Sequence, residues 1–312
     1  MFLLHSSWTT TTTMRSANGL RSKFSTVVAL SLFAFARLGS AQAQQQAPFV
    51  THSLKPDVYW IEGGGGNSGV IVGTNGVVVI DAKTTPAGGK ELLDAIAKIT
   101  PKPVTTVILT HSDGDHVNGL AAFPSGVKVI AHENNKKEQE AALAKGGRGA
   151  PPADHLPSQV VTGNKESLTV DGIAFELYHW GPAHTSGDVV ILLPHEKVVF
   201  TGDIIAANRP DPLIHREKGG SSAGWIETAK GVAGLDADVF IPGHGAPQTK
   251  ADIEARISKV EAKRAKILEL ISQGKTLDEI KTAVGDLPAP ATGAGPSFPT
   301  FTDVVYQEAA KK

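Results

Sequence analysis

An α/β fold is predicted by three features of this 312-residue sequence. Short runs of β-branched residues over 77–80, 104–109 and 189–193 have the composition and length of buried strands. Helical patterns alternate with them. The segment Pro86–Ile99, for example, gathers Leu92, Leu93, Ile96 and Ile99 on one face. The length suits one large α/β domain or two small ones, with ample apolar core either way.

The N-terminal stretch stands apart from this pattern. A threonine-rich leader runs to Thr13, and Met14 is an alternative start. Arg15, Arg21 and Lys23 follow, then an apolar run over 24–36, then Ala41-Gln42-Ala43. Positive, apolar and small-x-small segments in that order predict a secretory signal peptide cleaved after Ala43. The apolar run, about 13 residues closed by Arg37, is too short for a permanent bilayer span. A periplasmic or secreted protein with no stable membrane insertion is therefore expected.

Composition narrows the chemistry. Charged residues make up 20% of the chain and the net charge is −1, so nothing points to nucleic acid or an anionic membrane as partner. There is no cysteine, which excludes disulfides, thiolate ligands and thiol nucleophiles. Any metal must be held by nitrogen and oxygen. A small-molecule substrate is the expected partner.

Taken in order, strands are expected at 50–54 and 58–61, then a four-glycine run at 63–66. A phosphate-binding loop would need Lys-Ser/Thr and a helix next, whereas a strand at 69–72 follows, so a flexible loop or tight hairpin is predicted. Asn75-Gly76 turns the chain into Val77–Ile80, which ends in Asp81. The helix Pro86–Ile99 leads to strand 104–109. A strand at 128–130 runs toward His132, a charged helix covers 133–145, and 146–157 reads as an exposed Gly/Pro/Ala loop. A hairpin through Asp171-Gly172 joins 167–170 to Ile173–Tyr178, and His184 follows. A second hairpin, 189–193 with Val198–Phe200, ends in Asp203. A helix at 225–232 precedes Val239–Ile241 and His244. Helices at 249–272, Leu277–Val284 and 302–310, with a proline-rich linker before the last, complete the chain.

The strand at 104–109 delivers Thr110-His111-Ser112-Asp113-Gly114-Asp115-His116. Two histidines and two aspartates at one strand end place imidazoles and carboxylates together, and Gly114 permits the sharp turn that lets them converge. These are ligand types that suit zinc, iron or manganese.

Together with strand-end Asp81, His184, Asp203 and His244, this cluster resembles the metallo-β-lactamase superfamily, over about residues 50–250. The resemblance implies a four-layer αβ/βα sandwich: two mixed sheets face to face, one from each half of the chain, helices outside, and metals along one edge. It divides the chain into a leader and signal peptide (1–43), a metallo-β-lactamase-like domain (44–250) and a helical extension packed on it (251–312). It implies one or two zinc ions. One would be held by His111, Asp113 and His184, the other by Asp115, His116 and His244, with Asp203 bridging and Asp81 orienting the cluster from behind. The implied activity is hydrolysis, in which a metal-bound hydroxide attacks the carbonyl of a β-lactam, lactone or other ester or amide. Asp115 is the catalytic candidate, handling the leaving-group proton.

The sequence leaves the family pattern at one place. The usual cluster reads His-x-His-x-Asp-His, and here Asp113 replaces the second histidine. Diiron flavoproteins of the superfamily carry Glu there, so a carboxylate can ligate. An added carboxylate lowers the net charge of the centre by about one unit, which favours harder metals and acidifies bound water less. Iron or manganese therefore stands beside zinc as an expectation. A redox or oxygen-handling metalloprotein and a metal-binding protein without catalysis are the competing classes. Among the other histidines, His132 reads as structural, and His179, His215 and Arg216 as pocket-lining at most.

Overall fold

The computed structural model describes residues 48–146, 150–286 and 298–310. The expected leader lies outside them, as does most of the proline-rich linker. Sheet one contains, in spatial order, β1 (Val50–Lys55), β2 (Val58–Glu62), β3 (Ser68–Val72), β4 (Val77–Ile80), β5 (Val104–Ile108), β6 (Lys128–His132) and β7 (Gln159–Val161). Strands β1 to β4 form an antiparallel meander. From β4 onward the pairing is parallel. The crossovers carry α1 (Pro86–Ile99), α2 (Gly114–Val117) and α3 (Glu133–Ala144), as parallel pairing requires.

Sheet two contains β8 (Lys165–Val170), β9 (Ile173–Tyr178), β10 (Val190–Leu193), β11 (Val198–Phe200) and β12 (Val239–Ile241), in the spatial order β12-β11-β10-β9-β8. Only its β11–β12 pair is parallel, and α4 (Ser222–Ala233) lies in that crossover. Helices α5 (Lys250–Ser272), α6 (Leu277–Val284) and α7 (Phe301–Ala309) follow. Each opens on a threonine whose side chain accepts from the backbone three residues on, while the acidic residue there accepts in return.

The strand pleat sorts side chains into three apolar layers. In β4, Val77 and Val79 face α1 with Leu92 and Ile96, while Val78 and Ile80 face the other sheet. In β10, Ile191 and Leu193 meet them between the sheets, and Val190 and Leu192 turn outward to Trp225, Ile257 and Val304 of α4, α5 and α7. Strands buried on both faces read as unbroken apolar runs, which is why 77–80 and 190–193 lack alternation. The four-layer αβ/βα sandwich expected from the resemblance is the observed fold. No helix among the described residues is long and apolar enough to cross a membrane.

One element was missed in the sequence. Strand β7 was not expected. It is a three-residue strand in a polar surround, and its exposed positions carry no period-two signal. The glycine run joins the antiparallel neighbours β2 and β3, as the hairpin reading expected, and its backbone has a second task. Gly63, Gly64 and Gly65 adopt positive φ, and Gly66 passes so near the His116 ring that a Cβ would overlap the imidazole. The run is glycine because backbone must pass that close.

The strand ends collect what chemistry needs. Asp81 follows β4, residues 110–116 follow β5, Asp203 follows β11 and His244 follows β12, all at one end of the two sheets. The loop after β4 is strained, with φ of 57° at Asp81 and 78° at Lys83. Such outliers persist where surrounding contacts over-determine the backbone.

Candidate metal centre

The histidines are fixed in their tautomers before any ligand is considered. Thr110 donates its hydroxyl to Asp81 Oδ2 (2.6 Å) and its N–H to Asp81 Oδ1 (2.8 Å). Its oxygen, 2.9 Å from His111 Nδ1, is then left to accept from that nitrogen. His116 Nδ1 donates to Asp81 Oδ2 at 2.7 Å, and His184 Nδ1 donates to the Leu213 carbonyl at 2.8 Å. A carbonyl or carboxylate only accepts, so Nδ1 carries a proton in each ring and Nε2 is turned inward, unpartnered in His111 and His116 and facing Asp113 in His184. One buried aspartate thus orients both His116 and, through Thr110, His111. That is the role the resemblance implied for Asp81.

All seven expected site residues converge, although they span 111 to 244. Three groups of donor atoms form: His111, His184 and Asp203; Asp113, His184 and His215, which shares His184 with the first; and Asp115, His116 and His244. Asp203 Oδ1 lies 3.3 Å from His116 Nε2 and 3.5 Å from His244 Nε2. Asp115 Oδ2 lies 3.0 Å from His244 Nε2 and 3.7 Å from His116 Nε2. Two donors about 2.1 Å from one tetrahedral ion stand roughly 3.4 Å apart, so these spacings suit a shared cation. Buried His111 Nε2, His116 Nε2 and Asp203 Oδ1 have no hydrogen-bond partner among the described residues. Buried polar atoms are seldom left so, and a divalent ion is the group this donor set fits.

Two residues of the centre carried no ligand signal in the sequence. His215 Nε2 lies 3.2 Å from Asp113 Oδ2, beside His184 Nε2 at 3.1 Å, whereas His111 Nε2 is 3.8 Å away. Lys218 donates to Asp113 Oδ1 at 2.7 Å and to Ser112 Oγ at 3.0 Å. Both residues sit in a loop without a strand or helix pattern, so period analysis has nothing to grip there. The pocket-lining reading of His215 understates its place. Arg216, beside it, faces Glu308 at 3.3 Å rather than the centre. His132 and His179 stack with ring centroids 3.9 Å apart, and His132 Nδ1 accepts from the Asn134 N–H. His132 thereby caps α3, and neither residue lies in any of the three donor groups.

The electrostatics bind the cluster into one unit. Burial pushes the Asp113 carboxyl up, but His184, His111 and Lys218 outweigh it and hold it well below the usual range. Burial also raises Asp203, which His116, His244 and His111 reverse. Asp115 behaves alike: burial is outweighed by His116 and His244, and its carboxyl falls to about 2. Burial lowers His184, yet Asp113 and Asp203 raise it to about 10. A metal must displace that proton, so uptake releases protons. Asp115, with its side chain 34% exposed, is the most open carboxylate of the centre. An open cleft of about 320 Å³ adjoins it at His244, lined also by Glu62, Gly63–65, Asn67 and Asn208.

The sequence profile described as the metallo-beta-lactamase superfamily matches residues 61–244. The chain belongs to the metallo-β-lactamase superfamily. This superfamily binds divalent metal ions, and the described residues hold His/Asp clusters that could do so. Among curated relatives, the chain is 26% identical over 230 residues to the 2,4-dinitroanisole O-demethylase subunit alpha of Nocardioides sp. (strain JS1661), covering 73% of this chain and 67% of that one. It is 34% identical over 141 residues to the metallo-beta-lactamase type 2 of Elizabethkingia meningoseptica, covering 45% and 52%. Among solved structures, the inverting sec-alkylsulfatase Pisa1 from Pseudomonas sp. superposes with a TM-score of 0.67 at 21% identity, over 77% of this chain and 46% of that one. The matches thus span roughly half to two thirds of these proteins' lengths, and the last establishes the fold alone.

Proposed function

We propose that this chain is an exported, metal-dependent hydrolase that cleaves a β-lactam, lactone or other ester or amide. The observation that supports this best is the pair of donor groups joined through Asp203. Its Oδ1 stands within 3.5 Å of two imidazole nitrogens, and the same carboxylate groups with His111 and His184. In this reading His111, Asp113 and His184 would hold one ion and Asp115, His116 and His244 the other, with Asp203 shared between the two groups. Zinc suits a site dominated by imidazole nitrogen, while iron or manganese would gain from the carboxylates.

Divalent ions there would polarise a substrate carbonyl and make water nucleophilic at neutral pH. The residues do the rest. Asp81 and Thr110 keep the rings in register. Asp115, ionised and partly exposed beside His244 at the cleft, would accept the hydrogen bond of the attacking water and orient it. The same carboxylate is placed to pass a proton toward the leaving group. The glycine run and Asn208 border the cleft where the rest of the substrate would lie.

Metal analysis of the purified full chain, with hydrolysis assays on a chromogenic lactam and a lactone, tests this reading. The relationship to the O-demethylase adds 2,4-dinitroanisole to the panel. Metal uptake without turnover of any ester, amide or ether would favour a non-catalytic metal-binding protein. Redox cycling of a bound iron would favour the oxygen-handling class. Export rests on the order of charged, apolar and Ala-x-Ala segments before Gln44. Mass spectrometry of periplasmic material should find Gln44 at the N-terminus, and an intact leader on the mature protein would refute cleavage there.

A further inference from the structure

Asp113 sits 7% exposed among three imidazoles where the superfamily pattern has a histidine. Left alone, the exchange would remove one nitrogen donor and add one negative charge. The structure shows both deficits met from one loop, 215–218, more than a hundred residues downstream. His215, itself buried, brings Nε2 to 3.2 Å from Asp113 Oδ2. Neither of its ring nitrogens has a hydrogen-bond partner among the described residues. Lys218 brings its ammonium to 2.7 Å from the other oxygen, Oδ1. It is held there by the Ser112 carbonyl and hydroxyl at 3.1 and 3.0 Å.

The approach of this loop is built into the backbone. The His215 N–H donates to the His184 carbonyl at 2.8 Å, and the Gly220 N–H closes the loop on the His215 carbonyl at 2.8 Å. A Cβ on Gly220 would overlap the His184 carbonyl, so a glycine is required for the loop to lie against the strand-end histidine. The Lys218 carbonyl accepts from the Ser186 N–H at 2.8 Å. Phe298 lies against the His215 ring, centroids 4.5 Å apart. An imidazole so framed, with Nε2 unpartnered and aimed at a carboxylate beside His184, has the posture of a ligand.

We propose that His215 is a metal ligand replacing the nitrogen donor lost at position 113, and that Lys218 cancels the charge Asp113 adds. The inference rests on the metal-centre reading above. The Asp113–Lys218 pair is then electrostatically equivalent to a neutral histidine, and the imidazole count returns to the family number. The shift toward harder metals expected from Asp113 alone does not follow, because the carboxylate is not alone.

Titration of metal-free full-length protein with zinc, and with cobalt(II) as a spectroscopic probe, tests this directly. The wild type should take two equivalents. His215→Ala should lose one, or weaken it on the order of 10- to 100-fold, and alter the cobalt ligand-field bands. Asp115→Ala, on the other group, should leave the His215-dependent bands in place. Lys218→Met should move the zinc-over-manganese preference at least about tenfold toward manganese, because the site becomes more negative. Asp113→His combined with Lys218→Met should return it. Circular dichroism confirms that each variant is folded, and the Lys218 pair keeps the test decisive if His215→Ala is not. Two equivalents with unchanged affinity and spectrum in His215→Ala, or an unchanged metal preference in Lys218→Met, would overturn the proposal while leaving the metal centre standing. A wild type that binds neither ion would instead remove the metal-centre reading itself.

Discussion

His116 Nδ1 and Asp81 Oδ2 stand 2.7 Å apart, both buried, and the same carboxylate receives the N–H and hydroxyl of Thr110. One side chain therefore sets two imidazoles. Replacing Asp81 with Asn keeps the shape but removes the charge and lets the amide present a donor to His116. The expected result is a fall in metal affinity on the order of 10- to 100-fold, read by competition with a chromophoric chelator. An unchanged affinity would mean that packing alone holds the rings.

A Cβ on Gly66 would overlap that same ring. Gly66→Ala must push His116 or the glycine loop aside. A loss of about 1–3 kcal/mol in chemical unfolding is expected, as for overpacked cores, together with weakened metal binding. A variant as stable as the wild type would show that the loop yields freely.

Lys83 is fully buried, and its ammonium donates to the carbonyls of Ile61 (2.7 Å) and Gly66 (2.8 Å). Burial pushes its pKa from 10.5 down to about 7, with Asp81 and Glu62 pulling it partly back. Below pH 7 folded and unfolded chains are both protonated, and the folded state bears the full cost of the buried charge. Between pH 7 and 10.5 the unfolded chain holds the extra proton, so this group adds stability as pH rises, about 1.4 kcal/mol per unit. Urea unfolding of the wild type should therefore gain on Lys83→Met between pH 7 and 9.5. Parallel curves would show that Lys83 stays charged throughout.

Helix α7 holds the loop of His215 from outside. Glu308 accepts from the Ser222 N–H at 2.9 Å and from its hydroxyl, and pairs with Arg216 at 3.3 Å. Glu308→Ala leaves these donors unpaired, at a cost of about 1–3 kcal/mol. Thermal unfolding should show that loss, and a zinc titration should show weakened binding at the His184 group. A loss of stability with zinc affinity unchanged would confine Glu308 to packing.

Much of this was legible in the sequence because the signals were local and dense. The residues 110–116 put four candidate donors within one turn of chain, and the two-faced strands announced themselves as apolar runs. Asp81, His184, Asp203 and His244 were each flagged by a strand end or a Gly/Pro turn. His215 and Lys218 were not, since their loop has no periodicity and their meaning depends on Asp113, far away in sequence. A substitution that departs from a family pattern is visible at its own position, whereas its compensation lies wherever the fold brings it. Strand β7 was missed for the opposite reason: its pairing with β6 supplies what its three residues do not.

The layer between the sheets does more than exclude water. Trp60, Ile80, Phe175, Ile191 and Phe200 fill the gap between strands whose ends carry donors from opposite sheets. Residues 110–116 belong to one sheet, Asp203 and His244 to the other. The thickness of that layer therefore sets the distance from Asp115 to His244. A methylene removed there alters ligand spacing as well as stability, while one removed beneath α5 alters stability alone. Mutational tolerance should accordingly be uneven across the molecule, strictest in a layer that contributes no atom to the centre.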